Sequence, residues 1–237
     1  MKKRPKIGAI TIAFDDAYLD TYKHAIRYLN RKKIKSTISV PASLIGKTCE
    51  NRPVMGVKEL RSCVKHGHEI ASHGLNHKNL LKLSLRDKSG AFFEISESKK
   101  ELKRRLGCKL TSFVFPYIKS NRSRELYLKS KKFYTSARIT SRKPYFDRIP
   151  PRNPHDIVGF AVTEKDPVSY LNKLVKYARK NNLWLVEVFH LVGKKNTKSA
   201  HRPGSYRFFY HIDDFKRHID FVLSTKIKIL PQKSVLS

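Results

Sequence analysis

Short apolar runs alternate with amphipathic stretches from one end of the chain to the other. Residues 7–14 (IGAITIAF) are almost continuously apolar, short and rich in β-branched side chains, the pattern of a buried strand. Residues 18–32 then place apolar side chains at helical spacing. The same reading gives further strands at 37–40, 69–72, 110–115, 133–137, 157–162, 184–189 and 226–230. Helices are expected at 57–65, 84–106 (one long helix or a pair), 122–129, 167–181 and 213–223. Pro41 ends the second strand, and Gly67 and Gly107 stop the helices before them. Residues 141–156, rich in Pro and Arg, and 193–207, basic with Gly, Ser and Thr, read as loops. Regular strand–helix alternation predicts an α/β protein with a parallel sheet and crossover helices. About seven such units, with no repeat or linker, predict a single domain over 1–237. The sheet is expected to be a closed or nearly closed barrel, with an open doubly wound sheet as the alternative.

Composition narrows this picture. Hydrophobic residues are 40% of the 237, enough to form a core, which excludes a mainly disordered chain. The longest apolar runs fall far short of the ~18 residues of a membrane-spanning helix. Cys49, Cys63 and Cys108 are widely spaced, with no C-x-x-C pair, as for buried thiols or a reducing compartment. Met1-Lys2-Lys3-Arg4 resembles the start of a secretory signal, but the apolar run after it leads straight into Asp15 and Asp16. A cytoplasmic location is therefore expected. No feature of the sequence sets the oligomeric state.

Charge adds a second theme. Lys and Arg number 51 against 19 Asp and Glu, a net charge of +32. Such a surface attracts nucleic acid, anionic lipid or acidic glycan. No dedicated nucleic-acid motif is present. A basic module that binds polyanions without catalysis is one reading of the chain. The scarcity of acids also draws attention to where the few carboxylates fall.

Asp15 and Asp16 follow the first strand, His73 and His77 follow the strand at 69–72, Pro116 and Tyr117 follow that at 110–115, and His190 follows that at 184–189. Strand C-termini share one face of a parallel barrel, so these residues are expected on one rim. One Asp and two His make a three-ligand, open metal site. Two imidazoles four residues apart on a helical turn face the same way. A bound divalent ion lowers the pKa of its water to roughly 7, a second carboxylate can act as base, and a distant His can protonate the leaving group. The set contains each part needed for metal-assisted hydrolysis.

These residues also carry a resemblance. Thr11-Ile12-Ala13-Phe14-Asp15-Asp16 resembles the T-F-D-D motif of NodB-type polysaccharide deacetylases, Ser72-His73-Gly74-Leu75-Asn76-His77 their H-[ST]-x-x-H motif, Phe113-Val114-Phe115-Pro116-Tyr117 their third motif, and Val188-Phe189-His190 their late L-x-H motif. The resemblance covers nearly the whole chain. It implies a distorted (β/α) barrel and removal of N-acetyl, or occasionally O-acetyl, groups from a carbohydrate, with another non-peptide C–N amide as the variant substrate. It implies Asp15 as base, His190 as acid, and Asp16, His73 and His77 as ligands of a divalent metal, most often zinc. The Tyr117 N–H would help bind the oxyanion. An N-acetylated carbohydrate, anionic if the charge serves recruitment, is the implied partner.

The sequence departs from the family pattern at four positions. Gly74 replaces a Ser or Thr that braces the metal histidines. Val114 stands where many members have the Arg that orients the catalytic Asp, a role that Arg148 or Arg152 in the Pro-rich loop is expected to fill. Ile118 replaces a Gly and Val188 a Leu. Asp147 is the nearest candidate for the acidic fourth motif, with a plain loop acid as the simpler reading. His66 and His68, flanking Gly67, are expected in solvent, as is His201 in its loop. Trp184 is expected in the core. Tyr206, Phe208, Phe209 and Tyr210 read either as core or as a sugar-binding wall.

Overall fold

A computed structural model describes residues 8–117, 123–194 and 208–236. Met1–Arg4, Ile118, His201 and Tyr206 lie outside the described residues. Seven strands form the barrel: β1 (Ala9–Phe14), β2 (Thr37–Val40), β3 (Glu69–Ser72), β4 (Ser112–Val114), β5 (Ser136–Ser141), β6 (Ile157–Ala161) and β7 (Trp184–Phe189). Each pairs in parallel with the next. β1 then closes on β7 along its whole length, from Ala9 opposite Trp184 to Phe14 opposite Phe189. That closure excludes the open doubly wound sheet. β1 is buried at every position, which explains its unbroken apolar run.

Helices wrap the barrel: α1 (19–31, with a π-turn at Tyr22–Ile26), α2 (Val57–Lys65), α3 (Leu80–Ser84), α4 (Lys88–Leu106), α5 (Arg124–Phe133), α6 (Val168–Lys180), α7 (Ile212–Ser224) and α8 (Gln232–Val235). Residues 84–106, expected as one helix or a pair, hold the end of α3 at Ser84 and all of α4 from Lys88. The Asp87 carboxylate accepts the Gly90 N–H and caps α4, which fixes the break before it. Gly107 ends α4 in the left-handed region, as expected. α5 runs on to Phe133, four residues past its expected end, because Leu126 and Phe133 pack against the Phe113, Phe115 and Tyr134 cluster. β5 consequently starts at Ser136 and takes in Arg138. The segment 141–156 includes a short strand, Phe146–Asp147, antiparallel to the start of β7.

The core holds polar groups with partners. Trp184 is buried, as expected, and donates its Nε1–H to Thr11 Oγ1 at 2.9 Å. His68 is buried rather than solvent-exposed. Its Nδ1 accepts the Ser36 N–H at 3.0 Å, and its Nε2 lies 2.6 Å from Asn30 Oδ1. Burial pushes its pKa down to about 4, so it is a neutral structural residue. Glu187 of β7 meets His218 of α7 at 2.8 Å, with both side chains fully buried, and Asn172 of α6 completes the chain of contacts at 2.9 Å. Replacing His218 with Leu would strand the carboxylate. A stability loss of about 3–5 kcal/mol is expected in urea unfolding, largely relieved by adding Glu187→Leu.

Candidate active site

Closure of β1 on β7 brings residues 175 positions apart to one rim. Asp15 and Asp16 leave the end of β1, and His190 leaves the end of β7. The backbone turns sharply here. Asp16, Ala17, His77 and Tyr117 all have positive φ (68°, 51°, 55° and 63°), although none is glycine. Such left-handed residues cost of order 1–3 kcal/mol each and persist where surrounding structure dictates them. They aim Asp16, His77 and Tyr117 at a cavity of about 380 Å³ that Asp15, His73 and His190 also line.

Three ligand atoms converge there. Asp16 Oδ1 lies 3.3 Å from His73 Nε2 and 3.0 Å from His77 Nε2. The three side chains together form a possible metal-binding group, and all are buried. The remote ring nitrogens support the tautomer such a site requires. His73 Nδ1 donates to the Val114 carbonyl at 2.9 Å, and His77 Nδ1 lies 3.5 Å from the Cys49 sulfur. With Nδ1 carrying the hydrogen, both Nε2 lone pairs face the Asp16 carboxylate. In that tautomer neither ring donates to Asp16 Oδ1, which has no other hydrogen-bond partner among the described residues. Three electron-rich atoms gathered in a buried space call for a cation, so the donor set fits a divalent metal. Without one, a proton takes that place. Burial alone would push the His77 imidazole down, but the Asp16 carboxylate outweighs it and raises the pKa to about 11. Asp16 is itself held well below the carboxylate range, despite burial, by the two imidazoles.

Asp15 stands beside this group and has a different partner. Burial would raise its pKa, but the Arg138 guanidinium, 2.5 Å away, keeps it below the usual value. Arg138 is fully buried and also donates to Ser39 Oγ at 3.2 Å. This corrects the assignment of an Asp-orienting role to Arg148 or Arg152. The backbone N–H groups of both point to Asp147 Oδ1, and Asp147 pairs with Trp184 at the opposite end of β7 from His190. Asp147 is thus a loop-capping acid. Arg138 sits directly opposite Val114 in the β4–β5 ladder. The guanidinium absent from position 114 is supplied by the next strand. Gly159 makes room for it, since a Cβ there would lie 3.1 Å from Arg138 Nη1 and 2.5 Å from a Val188 methyl.

Gly74 has a compensating neighbour too. Its φ is +76°, and Glu94 of α4 reaches the loop that follows. Glu94 Oε2 accepts the N–H groups of Leu75 and Asn76 at 2.9 and 2.7 Å, and Oε1 accepts the Asn76 side chain at 2.7 Å. The turn joining the two histidines is therefore held by a buried carboxylate. Glu94→Ala is expected to weaken divalent-metal binding by ~10–100-fold with the fold retained, as read by metal titration and circular dichroism. Unchanged affinity would show that the loop needs no brace.

His190 closes the far wall. Phe208 stacks on its ring at 4.5 Å, while Phe209 and Tyr210 are buried core residues. Burial lowers the His190 pKa, against the opposing pull of Asp16 and Asp15. Its Nδ1 has no partner among the described residues. Pro116 is buried, and the Tyr117 ring lies half-exposed 5.0 Å from the His77 ring.

A family model for polysaccharide deacetylases matches residues 2–135, more than half of the chain. The chain belongs to the polysaccharide deacetylase family. The match takes in Asp15, Asp16, His73, His77, Pro116 and Tyr117. His190 lies beyond it and joins them through the barrel closure. The curated relative “Putative polysaccharide deacetylase YxkH” of Bacillus subtilis (strain 168) is 30% identical over 98 residues, which are 41% of this chain and 33% of that protein. The chain thus spans about a third of the length of the curated relative it matches. Among solved structures, a “putative polysaccharide deacetylase” from Mycobacterium smegmatis superposes with a TM-score of 0.69 at 14% identity, covering 100% of this chain and 91% of that one. The Xyl-CE4 domain of a multidomain xylanase from the hindgut metagenome of Trinervitermes trinervoides gives 0.60 at 14% identity, covering 97% and 89%. These two structures establish the (β/α) barrel of the deacetylase family. No helix among the described residues is long and apolar enough to cross a membrane.

Proposed function

We propose that the chain is a metal-dependent hydrolase that removes N-acetyl groups from a carbohydrate, with O-acetyl groups as a lesser substrate. One observation carries this reading: a carboxylate–bis-imidazole group, a separate carboxylate paired with arginine, and an unpartnered imidazole nitrogen line one cavity. Asp16, His73 and His77 would hold the metal, and the donor set suits zinc while accepting other divalent ions. When bound, the ion supplies Lewis acidity that brings an attacking water toward deprotonation near neutral pH. Asp15, held ionised by Arg138, takes the proton from that water. His190 on the opposite wall gives a proton to the departing amine. The Tyr117 N–H at the loop tip donates to the developing oxyanion.

The test is acetate release from N-acetylated oligosaccharides by zinc-loaded protein and by Asp15→Asn and His190→Ala. Each substitution is expected to lower turnover by about 10²–10⁴-fold. The acid must be protonated to work, so in the native protein the rate falls as pH rises through the His190 pKa. His190→Ala should flatten that alkaline limb. Full turnover in Asp15→Asn, with the fold intact, would sink the mechanism. A polyanion-binding role without chemistry does not account for the buried Asp15–Arg138 pair beside three converging ligand atoms.

A further inference from the structure

The hollow containing the three ligand atoms does not end at His77. Glu50, His77 and Tyr117 form a shared wall, and beyond it a second hollow of about 540 Å³ continues along the rim. Its lining changes character. Thr48, Asn76 and Asn79 offer polar edges, and Lys78 and Lys82 also line it. Both lysines are exposed, and neither has an ion-pair partner among the described residues. Glu50, on the shared wall, is the only acid lining this hollow among the described residues. The half-exposed Tyr117 ring stands between the two hollows, where a pyranose face could lie against it.

Resting on the deacetylase reading, we infer that this second hollow is a subsite for an anionic sugar unit, adjoining the acetylated unit over Asp15 and Asp16. The anion lies against Lys78 and Lys82, and the polar edges meet the ring hydroxyls. The favoured substrate is therefore an acidic saccharide rather than a neutral one. Ammonium groups accept a uronate carboxylate or a phosphodiester alike, so the shared chemistry is an anion next to an N-acetylated sugar.

Binding separates this inference from the reaction. Zinc-loaded protein would be titrated with chitohexaose, with a hyaluronan hexasaccharide in which glucuronate alternates with N-acetylglucosamine, and with UDP-N-acetylglucosamine. The native protein is expected to bind one or both anionic probes about tenfold tighter than chitohexaose, the magnitude two exposed ion pairs provide. Whichever is preferred identifies carboxylate or phosphate. Lys78→Ala/Lys82→Ala should erase most of that preference and leave chitohexaose binding unchanged. Lys173→Ala/Lys180→Ala removes the same charge from the exposed face of α6, which links β6 to β7 away from the hollow, and should preserve it. Equal affinity for neutral and anionic probes, or equal losses in both double variants, would overturn the subsite. Acetate release fails or succeeds independently: a retained anionic preference without acetate release would count against the deacetylase reading alone.

Discussion

Replacing His77 with Ala is expected to abolish retention of a divalent ion and, with it, hydrolysis. The prediction rests on how little else holds the ion. Asp16 and His73 alone leave a two-point site, and no further His, Cys, Asp or Glu joins the group among the described residues. Elemental analysis should find about one divalent ion per native chain and essentially none in the variant. Equal metal content in both would refute the ligand assignment.

The same histidine gives metal binding a sign with pH. In the metal-free protein the Asp16 carboxylate keeps a proton on His77, with a pKa raised to about 11. An ion must displace that proton, so affinity should rise about tenfold per pH unit between pH 6 and 9. Titrations in two buffers of different ionisation enthalpy should report about one proton released. The metal-free fold follows the opposite slope. A pKa raised above its unfolded value contributes stability that is fully present below about 6.5 and is lost as pH rises toward about 11. Metal-free protein should therefore melt at lower temperature at pH 9 than at pH 6.5, and metal should remove that difference.

Much of this was legible in the chain because strand ends and rare residue types coincide. Continuous apolar runs marked the barrel strands, and Asp15, Asp16, His73, His77 and His190 each stood just past one. Closure of the sheet then needed only the seven-fold alternation. What escaped has physical causes. Arg138 was hidden by a boundary. Hydrophobicity at Phe133 reads equally well as the start of a strand or the last turn of a helix, and placing the strand at 133–137 leaves Arg138 in a loop. Read in its true frame, an arginine between Ala137 and Ile139 in a short, buried strand is conspicuous. Glu94 was hidden by company, since α4 is charged along its length. Its signal is positional: it falls in the buried stripe of Ala91, Ile95, Ser98 and Leu102. Buried polar residues in an apolar stripe serve a specific partner, and here that partner is the loop between His73 and His77. His68 was misread because flanking a glycine turn does not tell solvent from the neighbouring Ser36 backbone.

Removing Arg138 should damage the site almost as severely as removing a ligand. The Asp15 side chain is 2% exposed, and Arg138 is the only cation in direct contact with it among the described residues. With Met at 138, a buried carboxylate remains without its counter-ion. Either the fold loses about 3–5 kcal/mol or Asp15 takes up a proton, and both arise from the same desolvation. A protonated Asp15 cannot act as a base. Turnover at neutral pH should fall by about 10²–10⁴-fold. The pH–rate profile carries the sharper readout. In the native protein the acid limb should lie below the ordinary Asp value, because Arg138 holds the carboxylate ionised. In Arg138→Met that limb should move upward by more than one pH unit, and raising the pH should recover part of the rate. A merely structural arginine would lower the rate or the stability without moving the limb. Arg138→Lys should give an intermediate shift, since an ammonium keeps the charge but not the planar fork that also reaches Ser39. The ladder offers a final check. Val114 and Arg138 are register partners, so Val114→Arg combined with Arg138→Val returns a guanidinium to the same level from the neighbouring strand. That double variant is expected to restore the acid limb toward its native position. Failure of the limb to move in Arg138→Met would show instead that Asp15 stays ionised without the arginine.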